Sequence, residues 1–594
     1  MRRSKLSLAV ITLLSSLTSH SAFAENSSTP SCVNCFEKRW VYFGGNVALD
    51  ADFQKLKEII VRAKAAGYNG IALNSSGYGS YGVMIQRTGS AVSTYYGNFK
   101  AIVDFAKSTG IELIPVGGGP EVPAVAAPQL VEALPVQETP FLVHDGKAVP
   151  LGQSIVTDSS FENNDGAWKL FDTASGGVSF DTSVAHTGNR SIKFTQASTT
   201  NLARIHRELV GLRKHSAYRM SFWVKTENYD APLRIQIHGA DTSQPIYSNA
   251  SAGLGWGTDS KGQWNKEPNG FAATQEWTKY DIDFNTGNFD RLKFYLGSWS
   301  NGKYKLGKAW LDDVEINEIG LAHTVRRTDK SLPVIVQSED RSITYVESKD
   351  YVVEVGSLTL PQESSIREGD VLRVSAYQSG RNMTSAWSTP ASACHQSFFD
   401  IQKEYFDKVY GLLDSPKKFF LYYDENRLLN WDPVCPPGSA GEYLANMFKK
   451  HQDTLAAGVN KPELYVWNDM FDPYVNAVPV YWAVNGDLRN SWKGLNTDTT
   501  VVNWSNPKDG KSVDSLKFFA GHGNKQMIAG YYDVADLTNV RAWMQSLSEA
   551  EKNGVTGVNG FMYTTFDSDK AKGYGALEDV AEFIKQNYSA RWPK

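Results

Sequence analysis

Five apolar or aromatic residues, Phe419-Phe420-Leu421-Tyr422-Tyr423, run directly into two carboxylates, Asp424-Glu425. The same grammar recurs downstream. Glu463-Leu464-Tyr465-Val466-Trp467 leads into Asn468-Asp469, and Thr500-Val501-Val502-Asn503 into Trp504. Gln526-Met527-Ile528-Ala529-Gly530 leads into Tyr531-Tyr532-Asp533, and Gly560-Phe561-Met562-Tyr563 into Thr564-Thr565. Paired carboxyl groups suit acid/base chemistry at an acetal. One carboxylic acid protonates the leaving oxygen, and a second group stabilises or traps the oxocarbenium-like centre. Amides and aromatic faces on neighbouring strand ends would hold the ring. Each residue also has a plainer role. Asp before a helix is a favoured N-cap, a role open to Asp424 and more so to Asp533. Asp469 has Arg427 as a candidate ion-pair partner, and Trp467 and Trp504 are candidates for core packing.

For these groups to meet, the chain must bring several strand ends to one mouth. Residues 39–43 predict a strand, and 51–66 an amphipathic helix with Phe53, Leu56, Ile59, Ile60 and Ala63 at helical spacing, ended by Gly67. A strand at 70–73, a helix at 95–109 and a strand at 111–116 complete a parallel α/β beginning over 38–119. Residues 120–152 are rich in Pro, Ala and Val without a clear period and predict a linker. From 153 to 317, short alternating runs between Gly, Asn and Asp turns predict a β-sandwich of jelly-roll type, and 318–395 a further β-rich segment. The α/β rhythm resumes over 396–594. Three strands before the interruption and five after it make eight, the number that closes a TIM barrel. The expected fold is therefore α/β, a (β/α)8 TIM barrel interrupted after strand 3. In such barrels the working residues lie at the C-terminal strand ends.

A chain of 594 residues is too long for one core. Sixty basic and 64 acidic residues leave a net charge of −4, with no positive excess to neutralise phosphates, so a nucleic-acid role is excluded. Aromatic residues make up 12% of the chain, a content that suits either stacking on sugar rings or large β cores. At the N-terminus, Arg2, Arg3 and Lys5 precede an apolar run at 6–17 and an Ala22-Phe23-Ala24 cleavage pattern. Residues 1–24 thus predict a removed signal peptide, 25–37 a polar leader, and an exported protein of the periplasm or exterior with no membrane span. That compartment permits disulfides. Cys32, Cys35, Cys394 and Cys435 allow three pairings: Cys394 and Cys435 flank a segment they could close, and Cys32 and Cys35 could pair locally.

Two stretches resemble known families. Tyr422-Tyr423-Asp424-Glu425-Asn426-Arg427, Trp467-Asn468-Asp469-Met470-Phe471 and Gly560-Phe561-Met562-Tyr563-Thr564-Thr565-Phe566 resemble the barrel of family 20 glycoside hydrolases, the β-N-acetylhexosaminidases. The resemblance implies a glycoside hydrolase acting on an oligo- or polysaccharide without a catalytic cofactor. Glu425 would be the general acid/base, and Asp424 would orient a substrate acetamido group. Trp504 would wall the pocket and Tyr532 bond the acetamido oxygen. Trp467, Asn468, Asp533, Arg427 and Thr564 complete the candidate substrate contacts, and Asp469 is a candidate catalytic carboxylate. The chain departs from the family where His-x-Gly-Gly is replaced by Phe420-Leu421-Tyr422-Tyr423, and Phe566 stands where Trp is common. The alternatives are a glycan-binding protein on a degenerate barrel, or a hydrolase with Asp469 or Asp533 as second carboxylate. Within 153–317, Ser160-Phe161-Glu162, His186-Thr187-Gly188-Asn189-Arg190-Ser191, Tyr218-Arg219-Met220-Ser221-Phe222-Trp223-Val224-Lys225 and Leu311-Asp312-Asp313-Val314-Glu315-Ile316 resemble a jelly-roll carbohydrate-binding module. That resemblance implies a structural Ca²⁺ held by Glu162 and Asp312. Trp256, Trp264 and Trp299 are candidates for exposed sugar stacking, and Trp223 and Trp310 for core.

Overall fold

The computed structural model describes residues 35–592 apart from 76–89, 124–126, 164, 172–176, 197–202, 230–233, 243–244, 249–255, 260–270, 299–306, 381–387, 459–460, 506 and 508–509. The predicted signal peptide, Cys32, Trp264 and Trp299 lie outside the described residues, as does the side chain of Trp256.

Eight parallel strands close into a barrel: β1 (Lys38–Gly45), β2 (Gly70–Ser75), β3 (Glu112–Gly117), β4 (Lys418–Leu421), β5 (Glu463–Trp467), β6 (Thr500–Asn503), β7 (Gln526–Tyr531) and β8 (Val558–Thr564). β1 pairs with both β2 and β8, which seals the ring. The period of two is visible in its packing. Trp40, Tyr42, Phe420, Tyr465 and Trp467 point into the barrel. Their neighbours Val41, Phe43, Phe419, Leu421, Leu464 and Val466 pack outward under the helices. Helix α1 (Asp50–Ala66) buries Leu56, Ile59, Ile60 and Ala63 against that outer layer and stops at Gly67, whose φ of 91° is cheap only for glycine. The other large helices are α2 (Ser90–Thr109), α3 (Gln396–Leu412), α4 (Ala440–Ala456), α5 (Ser512–Gly521), α6 (Thr538–Lys552) and, after the single turn α7 (Lys570–Gly573), α8 (Leu577–Asn587). The expected alternation is incomplete. Between β5 and β6 stands no α-helix, only the 3₁₀ turns Asp469–Phe471 and Ser491–Gly494 and the two-residue strand Ala483–Val484, which pairs with Leu428–Leu429, so that crossover is a long, largely irregular loop over the barrel mouth.

The interruption after β3 is nested. Residues 120–152, expected to be a linker, contain the strands Ala133–His144 and Lys147–Pro150. The first pairs with Val371–Ser379, from the far side of the interruption. Together with Ile335–Ser338, Val352–Glu354 and Ser357–Thr359 they form one six-stranded sheet over a core that includes Phe141, Val336 and Leu372. The missing period in 120–152 has a simple cause: the buried alternation of Ala133–His144 changes phase at Gln137-Glu138, where Glu138 has a φ of 51° and the pairing register shifts. The sandwich is inserted into this small β unit in turn. It consists of a five-stranded and a six-stranded antiparallel sheet with a shared core around Phe194, Met220, Phe222, Ile282 and Phe294. Trp310 is buried, with its indole N–H on Asp181 Oδ2 at 3.0 Å. Trp223, expected in the core, is half-exposed and stacks on His186 at 3.9 Å.

The small β unit is fixed to the barrel through one loop of the chain. Cys394 and Cys435 form a disulfide across a separation of 41 residues, worth about 4 kcal/mol of lost unfolded-state entropy in the chain-entropy picture. Beside it, Arg327 forks onto Asp432 at 3.1 and 2.6 Å. Glu132 Oε1 accepts the backbone N–H groups of Asn430 and Trp431 at 2.6 and 3.2 Å. Glu132 is fully buried, and burial followed by the Asp432 charge raises its carboxyl from 4.5 to about 7. The folded chain therefore holds an extra proton between those values, so this contribution is complete below about pH 4.5 and is lost as pH rises to about 7. At 1.36 kcal/mol per unit the swing is at most ~3 kcal/mol. Glu132→Gln is expected to flatten this part of the pH dependence. Thermal unfolding of both proteins on either side of that window checks it, and parallel curves would refute it.

Candidate functional site at the barrel mouth

The chain beyond β4 turns sharply at Glu425, whose φ of 44° lies in the left-handed region. This turn lets two adjacent carboxyl groups serve one site. The bend is held from the next strand: Asp469 Oδ2 accepts the Glu425 backbone N–H at 2.9 Å. Asp469 also accepts Asn476 Nδ2 at 2.9 Å and the Trp504 indole N–H at 3.1 Å. It is fully buried. Burial, reinforced by the Glu425 charge, pushes its carboxyl up to about 7, against the pull of these three donors. Asp469, the expected catalytic carboxylate, has no exposed surface here, and its oxygens are taken by these three donors. Nor does it pair with Arg427, which bonds Glu425 instead.

Asp424 is half-buried beside Asp469 and Glu425. Burial and then the charges of Asp469 and Glu425 hold it well above the usual carboxylate range, opposed by Arg427 and a Tyr422 hydrogen bond. Glu425 presents a side chain that is 40% exposed and paired with Arg427. The Arg427 guanidinium lies 4.7 Å over the Trp482 ring, a cation–π contact that fixes the ion pair's far end. Neither Asp424 nor Asp533 is a helix cap: α4 is capped by Ser439, and the N-cap position of α6 is Leu537, without a side-chain cap bond.

Aromatic faces border the pair. Trp504 stacks on Tyr532 at 5.9 Å with an interplanar angle of 22°, and Tyr532 meets Phe566 at 5.7 Å. Tyr531, Tyr532 and Asp533 all have positive φ, 89°, 44° and 61°. Such strain in bulky residues persists where surrounding structure demands it, commonly at functional sites. Tyr481, from the long β5–β6 crossover, is buried beside the three carboxyl groups, and its hydroxyl has no hydrogen-bond partner. Burial and then the charges of Asp469, Glu425 and Asp424 raise its pKa, which keeps it a donor.

Other expected contacts are overturned. Trp467 is 1% exposed and packs 4.7 Å from Phe420 inside the barrel, so it is floor rather than wall. Asn468 is fully buried; its amide donates to Asp472 at 2.7 Å, and its carbonyl accepts Trp504 N–H at 3.1 Å. Thr564 is buried, with its hydroxyl on Met562 O at 3.2 Å. Asp533, by contrast, is exposed at the strand end, where it bonds Thr565 and accepts the Phe566 N–H at 3.1 Å. Tyr481 and Trp482 were missed because they sit in an irregular loop, where periodicity carries no signal. Two adjacent aromatics after Pro479-Val480 were the available hint.

In the sandwich, Glu162 and Asp312 clasp one loop. Asp312 Oδ2 accepts His186 and Thr187 N–H at 2.7 and 3.3 Å, and Glu162 Oε1 accepts Asn189 and Arg190 N–H at 2.9 and 2.8 Å. Asp312 is fully buried beside Asp313.

Residues 153–303 match the family model described as a carbohydrate binding domain. The match ends before the second half of the barrel begins. Among solved structures, the chain is similar to the CBM22-1 xylan-binding domain of Paenibacillus barcinonensis Xyn10C, at 20% identity over 28% of this chain and 95% of that one, with a TM-score of 0.18. It is also similar to TmCBM61 solved with β-1,4-galactotriose, at 16% identity over 28% and 97%, TM-score 0.19. A third is the bacteriophage CBA120 tailspike protein 4 enzymatically active domain, at 15% identity and TM-score 0.21, where 28% of this chain spans 21% of that one. No curated protein matches the chain. No helix among the described residues is long and apolar enough to cross a membrane.

Proposed function

We propose that this protein binds a glycan through its sandwich and hydrolyses it at the barrel mouth, with Asp424 as proton donor and Glu425 as the second carboxyl group. The observation that carries this reading is the half-buried Asp424 carboxyl, pushed well above its ordinary range beside the Arg427-paired Glu425. A carboxyl group whose surroundings favour its neutral form, next to a second one held by a guanidinium, is the pattern of an acid and its partner. Asp424, whose surroundings favour its protonated form, delivers that proton to the leaving oxygen. Glu425 then either attacks the anomeric carbon or takes a proton from water. Asp469 keeps the Glu425 bend and the Trp504 indole in place, and Trp504 and Tyr532 supply a ring-stacking wall. The resemblance to family 20 hydrolases carries the reverse assignment, with Glu425 as donor and Asp424 orienting an acetamido group.

The second reading is glycan binding without cleavage, favoured by a family match confined to 153–303. An assay of new reducing ends on soluble and insoluble polysaccharides, aryl β-hexosides and aryl β-N-acetylhexosaminides separates the two. Turnover that Glu425→Gln removes supports hydrolysis. Glycan retention with no turnover on any substrate supports binding alone.

The proposal extends to export through the predicted signal peptide and to Ca²⁺ in the sandwich. What supports the ion is the resemblance together with hard oxygen donors on one loop: Asp312 is a buried carboxylate beside Asp313, and Glu162 faces the same loop. Here their oxygens accept the loop's backbone N–H groups, and Asp313 pairs with His186. Bound there, the ion would stiffen the 186–190 loop. Millimolar Ca²⁺ is expected to raise the unfolding midpoint of the chain over EDTA, and Asp312→Asn to abolish the rise. An equal midpoint in both buffers would remove the ion from the proposal.

A further inference from the structure

A cavity of about 210 Å³ lies where the sandwich, the small β unit and the β5–β6 crossover meet. That is roughly seven waters at ~30 Å³ each, the size class of one sugar ring rather than a chain. Its lining is amphipathic. Trp431, Trp482 and Phe289 give apolar faces, and Asn288, Gln378 and Val480 complete it. Gln378 is 2% exposed, and its amide nitrogen has no hydrogen-bond partner, while its carbonyl oxygen accepts Asn285 Nδ2 at 3.3 Å. A buried unsatisfied amide donor costs about 1–3 kcal/mol unless a ligand or water meets it. Trp431 is held rigidly: its backbone N–H is on Glu132 and its indole N–H on Ala483 O at 2.5 Å. Trp482 has a φ of 45°, a strained conformation for so large a residue. It also lies under the Arg427 that pairs with Glu425. The cavity and the barrel mouth thus share one aromatic residue.

We infer that this junction is a saccharide-binding subsite, in which one ring of a glycan lies among Trp431, Trp482 and Phe289 and accepts a hydrogen bond from Gln378. Flat C–H faces against aromatic rings with a few convergent polar groups are the recognition chemistry such a lining offers. The sandwich contributes Phe289 and Asn288 directly, so it does more than tether substrate: it completes a pocket whose other wall belongs to the barrel. The inference rests on the glycan reading above and adds the place and the residues.

The test uses the full chain carrying 5-fluorotryptophan, titrated with xylo-, cello-, galacto- and chito-tetraose, with ¹⁹F spectra and calorimetry. The Trp431 resonance, assigned with Trp431→Phe, is expected to move on addition of one of these sugars. Asn288→Trp, at the exposed rim, should fill the mouth. Gln378→Leu removes the donor without adding bulk. Each is expected to weaken binding at this site about tenfold or more and to leave the Trp431 resonance where it stands in the free protein. If a tetraose binds while Trp431 does not move, or both variants bind as wild type, the junction is a packing void and the inference falls while the glycan reading stands. If no tetraose binds the wild type, both fall.

Discussion

Asp424→Asn is expected to lower kcat/KM on an unactivated glycan by about 10²–10⁴-fold, the range for loss of a general acid. On a dinitrophenyl glycoside of the same sugar it should lose far less, because that leaving group needs no protonation. Glu425→Gln should be severely impaired on both, since its role does not depend on the leaving group. The reverse pattern, with Glu425→Gln rescued by the good leaving group, would assign the proton to Glu425 as the family 20 resemblance implies. The pH profile gives an independent readout. Burial and the neighbouring Asp469 and Glu425 charges raise the Asp424 carboxyl, so its protonated form persists to higher pH than that of an ordinary carboxyl group, and activity falls as pH rises through its titration. In Asp469→Asn, which removes one of those charges, the alkaline limb should move to lower pH. Asp469 also accepts three N–H donors, so that variant should lose activity as well through disorder of the Glu425 bend.

Arg327→Ala is expected to destabilise the chain by about 3–5 kcal/mol, the cost of leaving one partner of a buried ion pair uncompensated. The Arg327 and Asp432 side chains are 3% and 0% exposed, and the pair is bidentate. Arg327 also donates to Gln129 O at 2.7 Å, so its loss frees a second acceptor at the same junction. Substituting both members, Arg327→Met with Asp432→Leu, should recover much of the loss, because no charge is then stranded. Urea unfolding of the three variants measures this. A loss in Arg327→Ala below about 1 kcal/mol, the value of an exposed pair, would show that the junction is open to water.

The barrel was legible because its strands obey a period of two and its polar residues sit where strands end. The same rule misassigned Trp467 and Asn468. At a strand's C-terminus a side chain points either into the floor or up to the mouth, and one residue of register decides which. Trp467 shares the inward parity of Tyr465 and so joins the floor. The nested insertion was illegible for another reason: the strand at Ala133–His144 finds its main partner more than two hundred residues later, a pairing no local pattern encodes. Tyr481 and Trp482 reach the site from an irregular crossover, where only tertiary structure gives them a direction. The disulfide was one of three possible pairings, and its geometry selected Cys394 with Cys435.

One measurement bears most directly on the central claim. The full chain and its Asp424→Asn/Glu425→Gln double variant are incubated with the same panel of polysaccharides, and bound protein and new reducing ends are counted in each tube. Both proteins should bind a common polysaccharide, and only the wild type should release reducing ends from it. Binding by both with no reducing ends from either would contradict hydrolysis at the barrel mouth, as would release by the double variant at the wild-type rate.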